Sequence, residues 1–104
     1  MFEINRIKIG EGHAPYIIAE LSANHGGDIE RAKYSIKAAK ESGASAVKIQ
    51  TYTPDTMTLN CFKEEFLIKE GLWKGYNLYK LYEEAYTPYE WHEELFEYSR
   101  EIGI

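Results

Sequence analysis

The chain has one cysteine, three prolines and fewer basic than acidic residues in 104 positions. A lone Cys61 excludes an intrachain disulfide framework. A formal net charge of −5 and a pI near 5.2 supply no broad positive field for nucleic acid or an anionic membrane. Any anionic ligand has to be met by local lysines or backbone amides. No apolar run approaches the roughly 20 residues of a membrane span. Met1 to Arg6 is too acidic and too poor in apolar residues to open a secretory signal, so a cytoplasmic protein is expected. No metal-ligand spacing, no low-complexity segment and no repeat beyond a β/α alternation is found.

What is present fits a small domain, with 44% of residues hydrophobic. A closed eight-unit β/α barrel takes about 250 residues, so it cannot be completed here. Aromatic residues make up 14% of the chain and crowd between Phe62 and Tyr98. Such a density suits a large core or an aromatic-walled sugar pocket, with core the simpler account.

Along the chain, Phe2, Ile4, Ile7 and Ile9 alternate with polar residues ahead of Gly10-Glu11-Gly12, a pattern for a short hairpin. Tyr16 to Leu21 is a near-continuous apolar run, as expected of a strand covered on both faces. After Asn24-His25-Gly26-Gly27, Asp28 can cap a helix in which Ile29, Ala32, Ile36 and Ala39 recur at helical spacing. Glu30, Arg31, Lys33, Lys37 and Lys40 are expected to face water, and Gly43 closes the helix. Ala46 to Thr51 is predicted as a second strand, completing a βαβ unit. Tyr52 to Asn77 is an excursion too long for a structureless loop, with a short helix expected near Lys63 to Lys69. Leu78 to Ala85 predicts one or two helical turns. Thr87-Pro88-Tyr89-Glu90 reads as a capping box opening a last helix, with Trp91, Leu95, Phe96, Tyr98 and Ile102 as its apolar positions and Gly103 as its cap.

Two parallel strands and two helices leave an open sheet edge, and so small a sheet has little prospect of standing alone. The expected fold is therefore α/β: the N-terminal portion of a TIM-type (β/α)8 barrel, about two β/α units preceded by a hairpin.

Side chains alternate along a strand, so Ile18 and Glu20 share one face, and Ala46, Lys48 and Gln50 share one face of the next strand. Lys and Glu are rarely buried unless paired. Glu20 and Lys48 are therefore either an ion pair holding the barrel mouth or parts of a ligand site, and spacing weights the two equally. A lysine ammonium suits phosphate or carboxylate, Gln50 offers an orienting amide, and Glu20 could act as acid, base or water-orienting group. Asn24-His25-Gly26-Gly27 lies in a βα loop, where glycines let backbone amides approach an anion. A histidine there is as often an organiser of the loop as a catalyst. His13 and His92 have no cluster and read as structural or solvent-facing.

Ile17-Ile18-Ala19-Glu20-Leu21-Ser22-Ala23-Asn24-His25-Gly26-Gly27 and Val47-Lys48-Ile49-Gln50-Thr51 resemble the N-terminal signature of the sialic acid synthase family. Leu72-Trp73-Lys74-Gly75, Leu78-Tyr79, Leu81-Tyr82 and the run from Glu84 to His92 resemble the pseudaminic acid branch of that family. The resemblance implies a TIM-type barrel condensing phosphoenolpyruvate with an open-chain amino sugar, for surface-glycan biosynthesis. It implies Lys48 as a phosphoenolpyruvate contact, Gln50 as a neighbouring pocket residue and Glu20 as the catalytic carboxylate near C2. Asn24 and His25 are implied as residues of the substrate-side turn. A divalent metal, Mn or Mg, is implied, with its histidine ligands on later strands outside this chain. A homodimer is implied too, together with a C-terminal antifreeze-like (SAF) domain that these residues do not include. Residues 1–104 are thus expected to be an N-terminal fragment, inactive alone. The alternatives are an N-acetylneuraminate or legionaminate synthase, or a non-catalytic remnant or split-barrel subunit.

Overall fold

The computed structural model describes all 104 residues, Met1–Ile104. Strands β1 (Phe2–Ile4) and β2 (Ile7–Ile9) pair antiparallel, Phe2 with Ile9 and Ile4 with Ile7. Asn5 and Arg6, at φ 49° and 67°, make the two-residue left-handed turn whose twist suits adjoining strands. The expected hairpin is present.

β3 (Ile18–Glu20) leads through a turn into α1 (Ile29–Glu41), and β4 (Ala46–Lys48) returns parallel to β3. In register, Ile18 faces Ala46, Ala19 faces Val47 and Glu20 faces Lys48. Asp28 caps α1 by accepting from the Glu30 N–H, 2.9 Å away. Gly43 follows the helix at φ 94°, its N–H closing on the Lys40 carbonyl. The chain is thus mixed α/β around one parallel strand pair.

Both strands are shorter than the sequence pattern predicts. β4 ends at Lys48, not Thr51, and Thr51 forms a separate parallel bridge with Thr87. The apolar run at β3 is not covered on both faces either: Ile17 and Ile18 remain about half exposed. Pattern reports a residue's preference for burial, and a pair of three-residue strands leaves these side chains partly uncovered.

The excursion contains α2 (Pro54–Met57), which starts at Thr53, and a single 3-10 turn over Glu64–Phe66 where a short helix near Lys63 to Lys69 was expected. α3 (Leu78–Ala85) matches its prediction, with Asn77 capping it through the Lys80 N–H at 3.0 Å. A second correction concerns Thr87. It does not cap a helix: a 3-10 turn covers Tyr89–Trp91 and α4 runs His92–Ile102, ending at left-handed Gly103. The buried Thr87 hydroxyl is engaged by a side chain distant in sequence and so is not free to cap the helix.

Leu21, Ala32, Ile36 and Leu95 form the core, with Ile29, Val47, Ile49, Trp91, Tyr98 and Ile102 packed around them. α1 therefore seats its Ala32/Ile36 stripe against α4 and the strand pair. Lys33, expected in water, instead joins the two helices. Its ammonium pairs with Glu94 and lies 5.8 Å from the Tyr98 ring centroid, and the Glu94 hydrogen bond raises its pKa. No Phe, Tyr or Trp is fully buried, so the aromatic density does not become a large core. Part of it forms an edge-to-face cluster of Tyr52 on Tyr82, with Tyr86 alongside.

Candidate functional site

The parallel ladder sets Glu20 opposite Lys48 at the C-terminal ends of β3 and β4. Lys48 Nζ lies 3.4 Å from Glu20 Oε1, and the Gln50 amide donates to that same oxygen. Neither contact involves Oε2. The three residues predicted as site residues at the strand ends are therefore brought together, with one carboxylate oxygen in use. The pair is open to solvent, Lys48 58% and Glu20 43% exposed in their side chains. An exposed pair of this kind contributes about 0–1 kcal/mol to stability, so the cluster is not an indispensable structural tie.

Leu21 to Asp28 forms the turn beside this cluster. Ser22 at φ 49° and Gly26 and Gly27 at φ 58° and 76° fold the chain back on itself, and the Asn24 N–H donates to the Leu21 carbonyl. Asn24 is exposed on the turn, while His25, two residues before Gly27, is fully buried. The two are separated in environment though adjacent in sequence. His25 Nδ1 accepts from the Gly27 N–H at 2.9 Å, and its Nε2 meets the Thr87 hydroxyl at 3.0 Å. Its ring and that of Trp91 pack in a T-shaped arrangement with centroids 5.0 Å apart. An imidazole whose Nδ1 accepts a backbone N–H carries its proton on Nε2. Burial lowers its pKa below the ordinary value, holding the ring neutral.

Thr87 and Trp91 are the contacts that motif reading passed over, because the pair looked like parts of a helix start. No local signal marked them, because a threonine before proline is also what a helix cap looks like and the histidine lies 62 residues away. His92 pairs through Nε2 with the Thr51 hydroxyl and stacks on Phe96 at 5.6 Å, in keeping with a structural residue. The residues present do not assemble a metal site: no group of three His, Cys, Asp or Glu side chains converges. His25 and His92 direct ring nitrogens to threonines.

Beside β4 lies a largely apolar groove of about 700 Å3, whose lining includes Ile18, Val47, Lys48, Thr51, Leu95 and Ile104. Of the three clustered residues only Lys48 lines it, and residues of α4 close its other wall.

Residues 35–104 match the model of the NeuB family. The chain belongs to that family. Over 89 residues it is 63% identical to a pseudaminic acid synthase of Campylobacter jejuni subsp. jejuni serotype O:2, covering 86% of this chain and 26% of that protein. It is 56% identical over 90 residues to a pseudaminic acid synthase of Helicobacter pylori, covering 86% of this chain and 26% of that one. With the N,N'-diacetyllegionaminic acid synthase of Legionella pneumophila it shares 36% identity over 103 residues, 98% of this chain and 29% of the relative. This NeuB-family chain thus spans about a quarter of the length of the curated relatives it matches. No helix in it is long and apolar enough to cross a membrane.

Proposed function

We propose that this chain supplies the first two β/α units of a TIM-type barrel in a pseudaminic acid synthase, and that Glu20, Lys48 and Gln50 belong to its active site. The observation that carries the reading is the convergence of Lys48 and Gln50 on one oxygen of Glu20, at the C-terminal ends of parallel strands. That is the end of the strands where β/α barrels hold their chemistry. The identity of 63% to a protein named for this activity, against 36% to a legionaminic acid synthase, favours the pseudaminic branch.

The open face carrying Ile18 and Lys48 and the apolar groove beside β4 support a barrel whose remaining strands lie outside these residues. In that barrel the substrates are phosphoenolpyruvate and a 2,4-diacetamido-2,4,6-trideoxy hexose in open-chain form. The products are a nonulosonic acid and inorganic phosphate. Lys48 meets the negative charge of phosphoenolpyruvate, since its pairing with Glu20 is exposed and weak enough to be exchanged for a more highly charged partner. Gln50 keeps Glu20 oriented while Lys48 moves to substrate. Glu20 then presents its unengaged Oε2 to the water that adds at C2. Asn24, exposed on the turn, faces the substrate side, and His25 orders the turn from beneath.

The divalent metal, Mn or Mg, takes its ligands from residues beyond this chain, and the C-terminal antifreeze-like domain is formed by residues beyond it as well. The whole enzyme is a cytoplasmic homodimer serving surface-glycan synthesis. The test is phosphate release by the full-length protein with the altro-configured diacetamido trideoxy sugar and with N-acetylmannosamine. Preference for the diacetamido sugar is expected. Preference for N-acetylmannosamine would move the protein to another branch, and no phosphate release with either would leave a non-catalytic module.

A further inference from the structure

Two histidine–threonine pairs flank a single backbone bridge next to the carboxylate cluster. Thr51 and Thr87 bridge in parallel, and the Thr87 N–H donates to the Gln50 carbonyl at 3.2 Å. The Thr87 hydroxyl meets His25 Nε2, and the Thr51 hydroxyl meets His92 Nε2. His25 and Thr87 are both fully buried, and no buried side-chain polar atom is left without a partner.

The arrangement matters because Gln50 lies beyond the β3–β4 ladder. The last rung joins the Leu21 N–H to the Lys48 carbonyl at 2.9 Å, two residues short of Gln50. Gln50 is instead anchored through the Thr87 N–H on its own carbonyl and the Thr51 bridge that follows it. Its side chain in turn holds Glu20 Oε1.

We propose that the His25–Thr87 and Thr51–His92 pairs form a clamp that positions Gln50, and through it the Glu20 carboxylate, for reaction. His25 and Thr87 are positioning residues: they touch no substrate, and they act through the Gln50 backbone. The neutral His25 ring suits the part, because only the form with Nδ1 bare and Nε2 protonated satisfies Gly27 and Thr87 together. Glu20 and Lys48 both stand on the ladder, but Gln50 bonds the Glu20 side chain, so the clamp governs orientation of that carboxylate and not the capture of phosphoenolpyruvate by Lys48.

The inference rests on the reading of Glu20, Lys48 and Gln50 as an active site, and the experiment separates the two. Thr87→Ser, which keeps the hydroxyl, and Thr87→Val, which keeps the shape without it, are made in the full-length protein. Phosphate release is followed with phosphoenolpyruvate and the diacetamido sugar. Thr87→Val is expected to lower kcat by about tenfold to a hundredfold, as for a reacting group displaced by an ångström or less, with KM for phosphoenolpyruvate within about threefold of the parent. Thr87→Ser is expected to restore most of kcat. Equal losses in both variants, no loss in Thr87→Val, or a loss confined to KM would each overturn the positioning role. Nitrogen-15 shifts of labelled histidine in the parent protein report the ring directly, whether or not Thr87→Val folds. An Nε2-protonated His25 at neutral pH supports the clamp; an Nδ1-protonated or doubly protonated ring overturns it. A parent protein that releases no phosphate sinks the active-site reading, and the positioning role with it, while those shifts still decide whether the clamp exists.

Discussion

Replacing Lys48 with alanine separates the two accounts of the Glu20–Lys48 pair that sequence spacing left equal. If the pair is a structural tie, its loss should be felt in stability. The geometry argues for a small effect: the contact is 3.4 Å, both side chains are close to half exposed or more, and Glu20 keeps Gln50 as a partner. Exposed pairs of this kind are worth about 0.2–1 kcal/mol, which corresponds to a fall in Tm of no more than about 4 °C in a protein of more than 150 residues. If Lys48 holds phosphoenolpyruvate, the loss falls on activity instead. A hydrogen bond to a charged group contributes about 1.5–3 kcal/mol, so kcat/KM should drop by at least roughly ten- to a hundredfold. The assay is phosphate release by the full-length variant, set beside its thermal melt. A Tm lowered by about 10 °C or more with kcat/KM unchanged would refute the argument and return Lys48 to a structural role.

Two other outcomes follow from the packing. Ile36→Ala, at a core position 1% exposed between α1 and α4, should cost about 2–5 kcal/mol in urea unfolding, because the surrounding helices cannot fully close the void; a loss below about 1 kcal/mol would mean that the α1–α4 seam is looser than described. His25 has its pKa lowered by burial, so the unfolded chain binds the extra proton first as pH falls below the ordinary histidine value of about 6.5. Its contribution to stability is full above that value and is lost as pH drops towards the folded pKa, with a slope of at most about 1.4 kcal/mol per pH unit. Melts of the parent and of His25→Gln between pH 7.5 and about 5 check this: the parent should lose the extra stability and the variant should not, and parallel curves would count against a buried neutral ring.

Local signals carried far in this chain. Asp28, Gly43 and Gly103 each mark a helix end through a side-chain or glycine preference acting within a few residues, and α1 and α4 end where those residues put them. The alternation that put Glu20 and Lys48 on one face needs only strand geometry and the parallel register that βαβ connection imposes. Contacts between distant segments were not legible. Thr87 looked like a helix cap because its local motif permits one, whereas 62 residues separate it from the histidine that claims its hydroxyl. Lys33 looked solvated because its neighbours on α1 are charged, and only the approach of α4 supplies Glu94 and the Tyr98 ring.

The sequence by itself determined the β3–α1–β4 order, the helix ends at Asp28, Gly43 and Gly103, the mixed α/β class and the placing of Glu20 and Lys48 at facing strand ends, since each depends on backbone preferences and short-range periodicity. Only the tertiary structure decided that His25 is buried and neutral, that Gln50 hangs from Thr87 beyond the end of its strand, and that the aromatic residues stay out of the core. Those facts depend on which surfaces meet in space, and hydrogen bonds across 30 to 62 residues leave no periodic trace in a chain.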